Sequence, residues 1–231
     1  MADTIEMWVR RLRVASRPVL QGTPITDPES FSVSQRVRFI ETFADEFGAR
    51  REVDPFLLAR VLRVPWPSAL PPGEPWLEIW STLALGRAGG ITLRQEPPIA
   101  ADPSCWALEQ QSARELAATH ALWHHAHANP ALMPVLDRAA LWLIANVQPD
   151  NATNHPWAVH VFAGRASRLG DTPEGQMSAM YAQQLYHNPL VARGTPDLLS
   201  AVIFWDAALG LEATSNCTDT SRSPASPSWL S

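Results

Sequence analysis

Five short motifs in the second half of the chain each place a helix-capping residue at, or one residue before, an X-Pro pair. They are Asp102-Pro103, Asn129-Pro130, Asn154 before His155-Pro156, Thr172-Pro173 and Thr195-Pro196. Short polar side chains accept hydrogen bonds from the first free amides of a helix, and the fixed φ of proline suits the first turn. The motifs predict helices near residues 104–127, 131–147, 156–169, 173–187 and 196–211. Because the connections are short, neighbouring helices are expected to run antiparallel.

The first half shows apolar residues at helical spacing, which predicts helices over 4–15, 33–47, 54–64 and 76–85. Ser32 precedes the second of these helices, and Gly48 follows it at the position typical of a helix end. The proline-dense stretch Pro65 to Pro75 interrupts the pattern and forms either a linker or a packed wrap. Residues Ile91 to Leu93 are the one stretch with strand character.

The predicted fold class is therefore all-α, built from antiparallel helical hairpins. Four regions follow: N-terminal helices over 1–64, a Pro/Gly-rich connecting segment with one helix over 65–102, a five-helix region over 103–212, and a disordered tail over 213–231. The tail is rich in Ser, Thr and Pro and has few apolar residues, so it offers little to bury in a core.

Charge and apolar patterning exclude several classes of partner. The 18 basic residues, all arginine, are interleaved with 23 acidic ones for a net charge of −5, so we expect no nucleic-acid partner. No signal-like N-terminus and no uncharged apolar run of membrane-spanning length are evident, so we expect no membrane insertion. The two cysteines, Cys105 and Cys217, favour a reducing, cytoplasmic location. The absence of lysine indicates a GC-rich genome and a bacterial source.

Histidines are concentrated on one predicted helix. His120, His124 and His127 stand at i, i+4 and i+7, which puts them on one face, where imidazoles could hold a divalent transition metal ion. A further ligand would come from His155, His160 or His187 if the fold brings one near. The alternative is that these histidines fill a helix interface. The usual His-Glu-x-x-His and Cys-x-x-Cys signatures are absent.

A second stretch carries a family resemblance. Arg138, Ala139, Trp142, Leu143, Gln148, Asp150 and Trp157 occur in the order of a repeat found in squalene-cyclase and prenyltransferase-type α/α toroids. The segment Arg138 to Trp157 thus resembles that repeat, which implies helical hairpins, in the form of a partial α/α toroid, and a bound sugar or lipid. The acid-rich Asp-x-Asp-Asp motif of the family is missing, so cyclase activity is not implied.

The loop within this segment gathers polar groups beside a tryptophan. Asp150, Asn154, His155, Trp157 and the nearby His160 are candidate ligand-binding residues, because polar groups next to an aromatic ring suit a sugar or an amide. The alternative is structural, with Asp150 in an Asx turn and Asn154 as a helix cap.

Three functions are compatible with these patterns. The first is a helical scaffold or protein-interaction module without catalytic activity, acting on a protein partner, because no complete catalytic motif is present. The second is a histidine-metal-dependent hydrolase, and the third is a toroid-derived sugar or lipid binder. The substrate, the partner and the oligomeric state do not follow from the sequence.

Overall fold

The computed structural model describes residues 3–65, 75–85, 94, 96–100, 108–149 and 155–219. Several predicted features lie outside the described residues. They are most of the Pro65 to Pro75 stretch, the strand-like Ile91 to Leu93, the Asp102-Pro103 cap, Cys105, and the loop residues Asp150 and Asn154.

Within the described residues the fold is all-α, as the sequence predicts, with nine α-helices and no strand. The helices are α1 (Ile5–Leu20), α2 (Val33–Thr42), α3 (Asp54–Val61), α4 (Pro75–Ala84), α5 (Leu108–Ala128), α6 (Met133–Asn146), α7 (Val159–Leu169), α8 (Pro173–His187) and α9 (Leu198–Asp219). Short 3-10 turns at Pro28–Ser30, Pro130–Leu132 and Asn188–Leu190 lead into or out of them.

Capping chemistry starts α2 and α8 as predicted, whereas at α9 the Asp197 carboxylate, and not Thr195, accepts the Ser200 amide at 2.8 Å. The Thr172 hydroxyl accepts a hydrogen bond from the Gly175 amide at 3.1 Å, and proline fills the first position of α8. Ser32 and Gln35 form a reciprocal capping box at the start of α2. These contacts span three residues, so they can be predicted from the local sequence.

Three helix ends differ from the prediction by five residues or more, those of α1, α2 and α9. Helix α2 stops at Thr42 instead of continuing to Phe47, because the Asp45 carboxylate accepts hydrogen bonds from the Phe47 and Ala49 amides and builds a tight turn. Gly48, at φ +75°, belongs to that turn and not to the helix end. Helix α1 continues through Pro18 to Leu20, since proline in the last turn disrupts few helical hydrogen bonds.

One core joins the first and the last helix of the described residues. Helix α1 packs along α9 in the most extensive helix contact, and consecutive pairs α4 with α5, α5 with α6, and α7 with α8 also pack together as hairpins do. Helices α5, α7 and α9 meet one another inside the core, and α3 contacts α9. This arrangement brings polar side chains of four helices to one point.

The last helix is longer than predicted. Residues 213–219, which the composition assigns to a disordered tail, continue α9, while the rest of the tail lies outside the described residues. Its window Leu198–Ser215 is the one described helical stretch long and apolar enough to cross a membrane, and 61% of that window is buried within the fold. Such burial is compatible with the core helix of a soluble protein.

Candidate metal centre

Three histidines from two helices meet in the core. Helix α5 carries His120 and His124 one turn apart, and helix α7 carries His160. One ring nitrogen from each lies within 4.8 Å of the other two. His120 and His160 are fully buried, and the His124 side chain is 8% exposed. We call these residues the histidine trio.

An aspartate and an arginine complete the cluster. Asp206 of α9 is fully buried, and its Oδ2 lies 2.9 Å from His120 Nε2 and 3.1 Å from His124 Nε2. Arg60 of α3 donates to Asp206 Oδ1 through one guanidinium nitrogen, and its Nη2 lies 2.8 Å from His124 Nδ1. The carboxylate is therefore shared by one cation and two imidazoles.

Backbone and guanidinium donors determine where the imidazole protons sit. The Ala158 amide donates to His120 Nδ1 at 3.1 Å, and Arg60 donates to His124 Nδ1. Each Nδ1 is therefore an acceptor, which leaves the ring proton on Nε2, where it is donated to Asp206. In this arrangement both rings are neutral and fully hydrogen-bonded.

His160 differs from the other two members of the trio. Neither its Nδ1 nor its Nε2 makes a hydrogen bond of normal geometry among the described residues, although the ring is completely buried and the His120 backbone lies close enough to raise its pKa against the effect of burial. Its ring centroid lies 4.2 Å from that of His120 and 5.2 Å from that of His124. A buried polar group without a partner costs about 1–3 kcal/mol. His160 is thus the member of the trio whose bonding is incomplete.

The trio is held in the form that binds metals. Burial lowers the pKa of all three histidines well below the usual value of 6.5, and the positive charge of Arg60 lowers each further. The imidazoles are therefore neutral near pH 7, and the neutral ring is the ligand form. Burial also lowers the pKa of Arg60 to about 10, which leaves the guanidinium charged at neutral pH.

Large aromatic rings and one glycine shape the walls. Trp80 stacks on His120 at 5.6 Å between centroids, and Trp157 meets the same ring edge-on at 5.4 Å. A Cβ at Gly210 of α9 would come within 2.8 Å of His124 and 3.3 Å of His160. Glycine at this position therefore lets α9 approach the trio closely.

The structure brings two of the three predicted metal ligands together and leaves the third apart. His120 and His124 come together as predicted, but His127 does not join them, because its Nδ1 lies 2.8 Å from the Trp123 carbonyl and the residue is exposed. Seven helical residues advance about 10 Å along the axis, so the first and last histidines of the predicted set share a face without sharing an ion. His160 takes the third place.

The predicted ligand-binding residues are divided between two places. His160 lies in the trio, whereas His155 lies at a separate cleft, 2.7 Å from Arg51. Trp157 borders both, since it lines that cleft and contacts His120. Asp150 and Asn154 lie outside the described residues.

Sequence reasoning missed Arg60 and Asp206. Both are single charges inside apolar runs, Leu-Leu-Ala-Arg-Val-Leu and Ile-Phe-Trp-Asp-Ala-Ala-Leu. Charged residues are almost never fully buried unless they are paired, so each isolated charge could have indicated a buried partner. The identity of that partner depends on contacts across 146 positions of sequence.

Comparison with known proteins identifies no relative of this chain. The chain matches no protein-family model, and no curated protein or solved structure is significantly similar to it.

Proposed function

We propose that this protein is a helical scaffold that binds one divalent transition metal ion in its core through His120, His124 and His160. The observation that carries the proposal is the meeting of three buried ring nitrogens within 4.8 Å of one another. The third histidine also has two unpaired ring nitrogens, and an ion would supply the partner that it lacks.

The geometry suits a tetrahedral ion. Three atoms no more than 4.8 Å apart surround a point within about 2.8 Å of each, so a Zn–N bond of about 2.0–2.1 Å requires shifts below 1 Å. Asp206 Oδ2 lies close to Nε2 of two of the rings but outside the group of three nitrogens, so it would have to move to serve as a fourth ligand. Three imidazoles and one carboxylate favour zinc over calcium or magnesium, which prefer all-oxygen sites.

Metal binding competes with the existing hydrogen bonds. An ion bound at Nε2 of His120 and His124 would take the place of the protons now donated to Asp206. Those protons must leave or move to Nδ1, which breaks the bonds from Ala158 and Arg60. The Arg60 side chain is 20% exposed and so has a route toward solvent. Arg60 is thus the competitor of the ion for Asp206.

A closed site favours a structural ion over a hydrolytic one. Catalytic zinc needs an open coordination position for water and substrate. None of the trio lines the four surface clefts beside Arg51, Pro18, Trp76 and Phe39. This favours the scaffold function over the hydrolase alternative, with the ion stabilising the contact of α5, α7 and α9.

The other sequence-based expectations accompany this proposal. We propose a cytoplasmic, bacterial protein that acts on a protein partner, supported by the low cysteine content and the all-arginine basic residues. The partial toroid and its sugar or lipid ligand remain a prediction of the segment Arg138 to Trp157.

The test is metal content after expression in medium supplemented with zinc. We expect about one zinc ion per chain by elemental analysis, retained through gel filtration and lost after prolonged chelation. His120→Ala, His124→Ala and His160→Ala variants should each lose most of it, because each removes one ligand.

His127→Ala is the matched control. It removes a histidine from the same helix, so non-specific histidine binding would fall as much as in the other variants. The proposal predicts unchanged metal content in this variant. Wild-type protein without metal, or equal loss in His127→Ala and His160→Ala, would overturn it.

A further inference from the structure

A separate cleft opens beside the start of α3. Its volume is about 340 Å³, and it lies between the Arg50–Val53 stretch, Trp76 of α4, one face of α5, and the segment from His155 to Trp157. The α5 face contributes Gln110, Ala113, Arg114 and Ala117, which follow helical spacing. The volume is within the range for a small organic ligand.

The charge of this cleft is positive. Arg50, Arg51 and Arg114 line it with one acidic residue, Glu52; Arg51 also pairs with Asp45 at 3.1 Å, and Arg114 lies 3.7 Å from Glu52. Arg50 donates to two neutral backbone carbonyls, those of Ile40 and Glu41, and its positive charge also acts on the buried Asp54, lowering the pKa of that carboxyl against the effect of burial. The cleft therefore attracts an anion.

The two terminal nitrogens of the Arg51 guanidinium differ in their hydrogen bonding. Its Nη2 donates to Asp45 at 3.1 Å and to His155 Nε2 at 2.7 Å. Its Nη1 is buried and has no hydrogen-bond partner among the described residues. A guanidinium presents paired donors that match a carboxylate, so an entering carboxylate would supply the missing acceptor.

His155 acts as a positioning residue for Arg51. Burial and the adjacent Arg51 lower the pKa of His155 to about 4, which keeps the ring neutral and Nε2 an acceptor. Its Nδ1 donates to the Ser200 hydroxyl at 3.1 Å, and that hydroxyl donates to Asp197 at 2.7 Å. In a catalytic triad the histidine lies between the serine and the aspartate, whereas here the serine lies between the other two. These hydrogen bonds therefore orient the His155 ring and do not activate the serine as a nucleophile.

Aromatic surfaces form the apolar part of the cleft. Trp76 and Trp157 both line it, each less than 5% exposed, and the Arg114 guanidinium lies 5.0 Å from the Trp76 ring centroid. Indole rings stack on planar ligands. The cleft thus combines a cationic edge with flat apolar walls.

We infer that this cleft binds a small monocarboxylate with a planar apolar body. The carboxylate lies against Arg51 and Arg114, and the planar body lies against Trp76 and Trp157. Glu52 at the same wall disfavours a dianion such as phosphate, because like charges in a partly buried cleft repel.

A neighbouring cavity of about 660 Å³ is a poorer candidate for this ligand. It also includes Arg51 and His155, but Asp45, Glu46 and Asp197 line it against Arg51 and Arg193. Its acidic excess repels a carboxylate. The two cavities therefore differ in charge, which allows a variant test to tell them apart.

The test is titration with benzoate at fixed ionic strength, followed by calorimetry and by tryptophan fluorescence. Saturable binding that quenches fluorescence is expected, with benzamide, the neutral analogue, at least about ten-fold weaker. Arg51→Gln and Arg114→Gln should each weaken benzoate binding about ten-fold or more, since a charge-assisted hydrogen bond is lost.

Arg193→Gln is the matched control, because Arg193 lines only the neighbouring cavity. It should leave benzoate affinity unchanged, and circular dichroism should show native helix content in every variant. If Arg51→Gln fails to fold, Arg114→Gln still decides the question, because it leaves the contacts of Arg51 with Asp45 and His155 intact. Absence of benzoate binding at 10 mM (roughly the weakest affinity of interest), equal affinity for benzamide, or a loss confined to Arg193→Gln would overturn the inference. The titration is repeated with chelator present, so its outcome is independent of the metal proposal.

Discussion

His160→Leu should change protein stability in opposite directions with and without metal. The wild-type imidazole is completely buried and has two unpaired ring nitrogens. Leucine removes both unsatisfied groups and has a similar volume. With metal removed, we expect the variant to be more stable than wild type by about 1–3 kcal/mol, the cost of leaving a buried polar group unpaired.

The space around His160 limits this gain. A Cβ on Gly210 would lie only 3.3 Å from the His160 ring, so α9 packs closely against it. Overpacking costs about 1–3 kcal/mol when a branched side chain does not fit. The lower part of the range, about 1 kcal/mol, is therefore the expected net gain. For a chain of this size it raises Tm by about 2–4 °C.

With zinc present the order reverses. Free zinc at 100 times its Kd stabilises the wild-type fold by about 2.7 kcal/mol, because the ion binds only the native state. The variant lacks one ligand and should gain far less. The assay is urea denaturation of both proteins in chelator and in buffered zinc, with His127→Leu as the control that keeps the zinc response.

Two results would refute this reasoning. If His160→Leu is less stable than wild type in chelator by more than about 1 kcal/mol, the imidazole has a structural partner that the geometry does not account for. If zinc stabilises both proteins equally, the ion binds elsewhere.

Three further predictions concern buried charged residues. Burial raises the pKa of Asp54 to about 6, so its ionisation opposes folding: stability falls as pH rises from about 4 through 6, by up to about 3 kcal/mol. Asp54→Asn should flatten that dependence in urea denaturation at pH 4.5, 6 and 8, and an unchanged slope would contradict it. Arg60→Met should tighten zinc binding in a competition titration, because it removes a positive charge next to the ion. Without metal, the same variant should lose about 3 kcal/mol of folding stability, because Asp206 loses its cation. Weaker zinc binding by the variant would argue against competition between Arg60 and the ion. Glu115 accepts the amides of Ile99 and Ala100, each at 2.7 Å, so Glu115→Gln should cost about 1–3 kcal/mol in denaturation by leaving one amide unpaired, and a neutral result would be inconsistent with this role.

The local part of the fold could be predicted from the sequence. Caps and proline starts act over three or four residues, and helix α8 begins and ends where Thr172-Pro173 and the apolar spacing indicate. The errors at α2 and α9 also have local causes. Asp45 side-chain hydrogen bonds end α2 early, and the polar residues after 212 are compatible with a helix once its preceding turns are buried.

The site could be predicted only in part, because most of it is built by contacts between distant helices. His120 and His124 are one turn apart, so their shared face follows from the sequence. His160 reaches them only through the packing of α7 on α5, and Asp206 is 86 positions from His120. Periodicity shows which residues share a helix face, but it does not show which neighbouring helix packs against that face. For this reason the sequence pattern predicts His127, and not His160, as the third ligand.

The central claim is that the histidine trio holds an ion, and anomalous diffraction at the zinc edge tests it most directly. Crystals grown with stoichiometric zinc should show one strong peak between His120, His124 and His160, about 2.0–2.1 Å from a nitrogen of each ring, with Arg60 displaced from Asp206. An intact Arg60–Asp206 pair with no peak in the core, or a peak only at exposed His127 or His187, would contradict the account.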